Sequence, residues 1–203
     1  MPGGRRRSGG GAQGSAPGAA GLRGSTTADA DVDADPAAVA RAIALRQLTA
    51  GPRTRAQLAT AMRRRGVPDD VAESVLDRFE DVSLVDDREF ARQWVTTRHV
   101  GRGLARRALS YELRQRGVAD DLVRGAVDEL TTDDELAAAR QLVRRRAPSM
   151  RGDDPARRTR RLAGMLARKG YSGVLAMRAI REELGDSDDA DGYLAEDDVP
   201  DPD

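Results

Sequence analysis

Leu109-Ser110-Tyr111-Glu112-Leu113-Arg114-Gln115-Arg116-Gly117-Val118-Ala119-Asp120-Asp121 lies near the middle of the 203-residue chain, and its frame occurs three times. The same spacing of apolar residues and glycine returns as Leu58-xxx-Met62-xxx-Gly66-Val67 and as Leu162-xxx-Leu166-xxx-Gly170-Tyr171, with the glycines 51 and 53 residues apart. Repetition at this period marks tandem structural units. Downstream of each glycine, apolar residues recur at helical spacing: Val71, Val75, Leu76 and Phe79; then Leu122, Ala126, Val127 and Leu130; then Leu175, Ala179, Ile180 and Leu184. Each glycine reads as a helix stop, because the residue after a helix commonly takes positive φ, which glycine adopts without a Cβ penalty. Pro68-Asp69-Asp70 and Ala119-Asp120-Asp121 then restart a helix with carboxylates at its positive end.

Working outward, Thr54 and Gln57 have capping-box spacing, and Gly51-Pro52 separates that helix from an earlier one containing Ile43, Leu45 and Leu48. The second unit opens with a helix from about Asp86, with Phe90, Ala91, Trp94 and Val95 on one face, to His99. The third opens with a helix from about Thr132, through Leu136, Ala139, Leu142 and Val143, to Arg146, after which Pro148 and Pro155 bound a looser linker, Ser149 to Asp154. Few aromatics and abundant Ala and Leu agree with helices over strands. The expectation is an all-α chain of about nine helices in three tandem three-helix repeats, at 36–82, 83–131 and 132–185, stacked into an elongated, curved array. A monomer is expected.

Net charge divides unevenly along the chain. Equal totals of 34 Lys+Arg and 34 Asp+Glu hide a body, residues 36–185, with 30 basic and 21 acidic groups, a net +9, and a tail, 186–203, with nine acidic groups and no basic one. The tail and the Gly/Ala/Arg-rich leader, 1–35, have compositions expected of disorder. A basic body favours a polyanionic partner, nucleic acid or an acidic protein surface. The acidic tail suggests either a solubilising segment or a competitor for the basic body.

Composition also excludes functions. Without Cys, and with His99 the single His, zinc, thiol and iron–sulfur chemistry has no ligands, so no metal or cofactor is expected. Lys169, the single lysine, is followed by Gly170-Tyr171, which rules out a phosphate-binding P-loop. No nucleophile or acid–base constellation argues for an enzyme, and no apolar run reaches the length of a membrane span; a cytoplasmic protein is expected.

Candidate contact residues for a partner or DNA are the arginines that recur near helix ends, with one lysine: Arg63, Arg64, Arg98, Arg102, Arg106, Arg107, Arg114, Arg116, Arg144, Arg145, Arg157, Arg158, Arg161 and Lys169, with Arg106 and Arg107 foremost. Trp94 and Tyr111 could stack on bases, but the position of Trp94 beside Phe90 and Ala91 favours the core. His99 reads as a helix-end residue, Asp86-Asp87 as an N-cap, and Gly101-Arg102-Gly103 as a turn that lacks the third glycine of a dinucleotide fingerprint.

Leu84-Val85-Asp86-Asp87, Phe90-Ala91, Trp94-Val95, Arg98, Gly101, Gly103 and Tyr111 to Val118 together resemble the central signature of the RecX family of recombinase regulators, and the resemblance extends over about residues 36–185. It implies a regulator, usually an inhibitor, of the RecA recombinase that binds along the groove of the RecA filament on single-stranded DNA. Such a regulator modulates filament growth, ATP hydrolysis, strand exchange and SOS coprotease activity in DNA recombination and repair, with duplex DNA a further ligand of the basic surface. A tandem helix-turn-helix-like DNA-binding protein, acting in transcription or as an architectural factor, is the competing expectation, because three-helix units with basic helices look alike in sequence.

Overall fold

The computed structural model describes residues 35–185 of the chain; the leader to residue 34 and the acidic tail from 186 lie outside the described residues. Among the described residues there are nine α-helices and no strand. Unit one comprises α1 (Pro36–Thr49), α2 (Arg55–Arg63) and α3 (Asp69–Asp81). Unit two comprises α4 (Asp87–Arg102), α5 (Arg106–Gln115) and α6 (Asp120–Asp128). Unit three comprises α7 (Thr132–Arg146), α8 (Pro155–Arg168) and α9 (Gly173–Leu184). A short 3-10 turn, Ala147–Met150, occupies the start of the expected linker and buries Met150 against unit three.

Each unit closes its own apolar cluster. Ile43, Leu58, Met62, Leu76 and Phe79 form the first, Phe90, Leu109, Leu113, Val123 and Val127 the second, and Leu142, Leu162, Leu166, Leu175 and Ile180 the third. The paired apolar residues before each glycine, at i and i+4 of the middle helix, are therefore fully buried in all three units. Two residues cross the boundaries: Val85, just before α4, packs in the first cluster, and Ala105, just before α5, packs in the third.

Local signals start the helices where expected. Thr54 and Gln57 form a reciprocal capping box on α2, and Thr131 with Asp134 forms a second on α7. Asp86 caps α4 through the Glu89 N–H at 2.9 Å. At its other end α4 runs through Gly101 and Arg102, three residues past His99, so the expected Gly101-Arg102-Gly103 turn reduces to Gly103 alone. Gly103 takes φ 60° as the left-handed C-cap, and a Cβ there would fall 2.9 Å from Leu142 Cδ1 of α7.

The three frame glycines share one backbone conformation, with φ 75° at Gly66, 78° at Gly117 and 89° at Gly170. Their surroundings differ. Gly66 faces open space, whereas a Cβ on Gly117 would collide with Ala56 Cβ of α2 and one on Gly170 would fall 2.5 Å from Ala108 N of α5. From the second unit onward, the glycine that stops the middle helix is also the point at which that unit presses on the start of the preceding unit's middle helix. Two costs follow for Gly117→Ala and Gly170→Ala, left-handed strain and a collision, with the Ala56 methyl at Gly117 and with the Ala108 backbone at Gly170, but only the first for Gly66→Ala. Urea unfolding should show a loss of about 1 kcal/mol for Gly66→Ala and of about 3 kcal/mol for either of the other two; equal losses at all three would remove the junction role.

Candidate partner interface at the unit junctions

The middle helices α2 and α5 begin against the following unit, which accepts hydrogen bonds from their first residues. Thr54, the N-cap of α2, donates through Oγ1 to Arg116 O at 2.6 Å, and the Arg55 N–H donates to Asp87 Oδ1 at 2.9 Å. One unit later, the Ala105 N–H donates to Lys169 O at 2.9 Å, and the Arg106 N–H donates to Glu135 Oε1 at 2.9 Å. Ala105 has no side-chain cap of its own, so α5 depends wholly on unit three for these bonds. In both cases the accepting carbonyl belongs to the residue just before the frame glycine, and the accepting carboxylate to the first turn of the next unit's opening helix. Burial holds the Asp87 carboxyl above its ordinary value, against the opposing pull of the Arg55 N–H. Of the expected Asp86-Asp87 cap, Asp86 serves its own helix and Asp87 serves α2.

Side chains at these positions follow the same logic. Arg55 reaches three carboxylates of α3, Glu73, Asp77 and Glu80, the last two at 2.7 Å. Arg106 occupies the equivalent first position of α5, donates to Leu130 O and lies 3.5 Å from Glu135. Its guanidinium is thereby engaged inside the protein, while the adjacent Arg107 is exposed with no ion-pair partner among the described residues.

The other candidate residues separate into three clusters. Around the junction of α2 with α5, Arg64, Arg114 and Arg116 line one cleft together with Arg53; Arg114 also pairs with Asp120 at 2.7 Å, and Arg63 outside the cleft pairs with Asp69. Near the end of α4, Arg102, Arg145 and Lys169 come together: Lys169 Nζ donates to Arg102 O at 2.6 Å, and burial, with Arg145 and Arg102 adding to it, lowers its ammonium pKa. Beside the 3-10 turn, Arg161 joins Arg146, Arg160 and Arg168 around a cleft floored by Met150 and Met165, and pairs with Asp153. Arg157 is exposed, and half-buried Arg158 leaves its Nε without a partner.

Trp94 is half-buried rather than a core residue. Its ring stacks on Phe90, with centroids 5.7 Å apart, and carries two guanidinium groups, Arg98 at 4.1 Å and Arg116 at 3.7 Å from the ring centroid. Its indole N–H donates to Glu112 Oε2 at 2.8 Å. Arg98 lies 3.9 Å from the same carboxylate. Tyr111 is exposed; the buried tyrosine is Tyr171, whose hydroxyl donates to Gly103 O at 3.1 Å across the second junction. His99 Nδ1 donates to Leu104 O at 2.9 Å within unit two. Among the described residues no group of His, Asp and Glu is placed to hold a metal ion, and no helix is long and apolar enough to cross a membrane.

These features define a class: a tandem three-helix repeat protein whose basic side chains gather where one unit meets the next. Family models for the first, second and third three-helix domains of RecX match residues 40–79, 86–127 and 133–180. A regulatory protein RecX from Thermobifida fusca is 63% identical over 145 residues, which cover 71% of this chain and 78% of that protein. Another from Streptomyces coelicolor is 52% identical over 162 residues, covering 80% and 86%. The crystal structure of RecX from Lactobacillus salivarius superposes with a TM-score of 0.68 at 19% identity, over 73% of this chain and 97% of that one. The chain belongs to the RecX family of regulatory proteins.

Arg144 is bound to unit three rather than free. It contacts Glu183 through two bonds, 2.7 and 2.9 Å, and Arg140 adds a third at 2.9 Å, which together draw the Glu183 carboxyl down to about 2. A carboxyl depressed on folding stabilises fully above its ordinary value and ceases to do so as pH falls through the folded value. Glu183→Gln should therefore cost about 2 kcal/mol at pH 7, and the gap from the parent protein should close between about pH 4.5 and about pH 2. Urea titrations at stepped pH test this; a gap constant with pH would show that Glu183 is not ionised in the pair.

Proposed function

We propose that this protein regulates a RecA-type recombinase by lying along the groove of its filament on single-stranded DNA. In this reading it limits filament growth and lowers the ATP hydrolysis, strand exchange and coprotease activity of the filament, and thereby acts in recombination, repair and the SOS response. The observation that carries it is the pair of like-built junctions within a RecX-family chain. They fix successive units in one register, so that basic clusters recur along a single polypeptide, as a partner made of repeating protomers requires.

Two further features support a binding role rather than chemistry. A cleft between α4, α6 and α7 holds salt-linked Arg92 and Glu129, Arg140 and Arg144 beside Val95 and Val100, and its Thr96 hydroxyl and His99 Nδ1 are bonded to the Arg92 and Leu104 carbonyls rather than to each other. Guanidinium forks match carboxylates and phosphates equally, so one surface can serve both the protein and the DNA of a filament. The protein acts as a cytoplasmic monomer without a cofactor, and its candidate contacts are the arginines whose side chains have no ion pair among the described residues, Arg64, Arg102, Arg107, Arg145 and Arg157 among them.

RecA-dependent ATP hydrolysis on single-stranded DNA tests the proposal. Substoichiometric protein should lower the steady-state rate, and Arg102→Glu with Arg145→Glu should weaken that effect at least tenfold in the concentration needed, about 1.4 kcal/mol. An unchanged rate at every ratio would overturn the proposal, and a sequence-specific shift of duplex DNA would favour the transcription-factor reading.

A further inference from the structure

The cleft between α2 and α5, of about 480 Å³, has a lining unlike the others: Gln47, Gln57, Arg53, Arg64, Arg114 and Arg116 surround it, no carboxylate lines it, and its apolar side chains are no larger than alanine. Arg53 is half-buried with no hydrogen bond or ion pair among the described residues, and its Nε is sealed from solvent and unpartnered. Arg116 is half-buried as well and rests on the Trp94 ring without a carboxylate partner. Burial lowers its pKa, and the charges of Arg98 and Arg53 push it the same way against Glu112. Like charges thus stand together at partial burial, where unpaired cations are costly.

What would fill such a cleft follows from its walls. A docking protein buries aromatic or aliphatic anchors at the centre of its interface, and this cleft offers no apolar wall to receive them. A phosphodiester strand carries one negative charge per nucleotide on a flexible chain, and its oxygens accept from guanidinium forks and amide N–H groups alike. We infer that the α2–α5 cleft is a phosphodiester-binding site for single-stranded nucleic acid, in which Arg53 and Arg116 hold one phosphate and Arg64 guides the adjoining strand. Trp94, the single tryptophan of the chain, lies directly beneath Arg116 and reports its occupancy.

The test contains no recombinase, so its failure is separate from failure of the proposed regulation. Binding of a labelled 20-nucleotide oligo-dT is followed by anisotropy across a salt series, with Trp94 emission recorded in parallel. The parent protein should bind at low salt and change its emission; Arg53→Gln with Arg64→Gln should flatten the slope of log affinity against log salt by between about 0.7 and about 1.4, at about 0.7 per phosphate contact with Arg116 still on the shared phosphate, and reduce the emission change. Arg178→Gln with Arg181→Gln, the same charge loss on α9, should leave both unchanged. Should the double variant melt early, exposed Arg64→Gln alone should still flatten the slope by about 0.7. No binding by the parent protein, equal losses in the two double variants, or displacement of oligo-dT by poly-glutamate at equal charge would each overturn the assignment.

Discussion

An α-helix cannot satisfy its own first N–H groups through its backbone, and at α2 and α5 this protein meets part of that constraint from the next unit. The carbonyl ahead of the frame glycine and a carboxylate from the next opening helix together close the start of α2, and the same pair closes α5. A buried N–H left open costs about 1–3 kcal/mol, more than a typical bond contributes when made, so these contacts determine placement more than they add stability. The glycine is required because the carbonyl can reach the helix start only where no Cβ intervenes. Thus three small clusters that would each be marginal alone are held in one order and one register.

Much of the fold follows from local chemistry and is legible in the chain. Gly66, Gly117 and Gly170 mark helix stops because positive φ selects glycine, Thr54 with Gln57 declares a helix start, and the apolar spacing from Leu136 to Val143 gives α7 its face. These signals act within a few residues. The junction bonds act between residues such as Asp87 and Arg55 or Glu135 and Arg106, and nothing nearby in sequence says that the second acid of a capping pair will serve another helix. Trp94 shows the same limit: its spacing from Phe90 places it on the inward face, but Arg116, from a different helix, decides that the ring is half-covered by guanidinium instead of by core. The end of α4 differs from the expected turn for the converse reason: Gly101 weakens a helix without breaking it, and the left-handed Gly103 is what ends it.

Arginine does two different things here, and position separates them. At the first residue of a middle helix, Arg55 and Arg106 face acids and carbonyls of neighbouring helices and are taken up by the fold. Toward the ends of their helices, Arg64 after α2, Arg102 on α4 and Arg145 on α7 have no acid partner among the described residues, whereas Arg144, next to Arg145, is paired with Glu183. Sequence counting shows that the excess exists; only the junction geometry shows where it remains unpaired.

The two junctions use the same acceptors, a carbonyl and a carboxylate, but differ in the donor to the carbonyl, the Thr54 hydroxyl in one and the Ala105 N–H in the other, and in the side chain that precedes the glycine. Arg116 and Lys169 each precede the frame glycine and each give their carbonyl to the helix start of the unit before. Lys169 turns its ammonium onto the Arg102 carbonyl and closes the second junction on itself. Arg116 cannot do this: its guanidinium lies flat on Trp94, and a planar group stacked on a ring still presents N–H donors at its edge. Among the described residues the first junction is therefore left with the guanidiniums of Arg53 and Arg116 free of any carboxylate, although the bonds that assemble it are complete. Because the carbonyl and the guanidinium belong to the same residue, the group that closes the start of α2 and the group that faces the cleft are set by one backbone position.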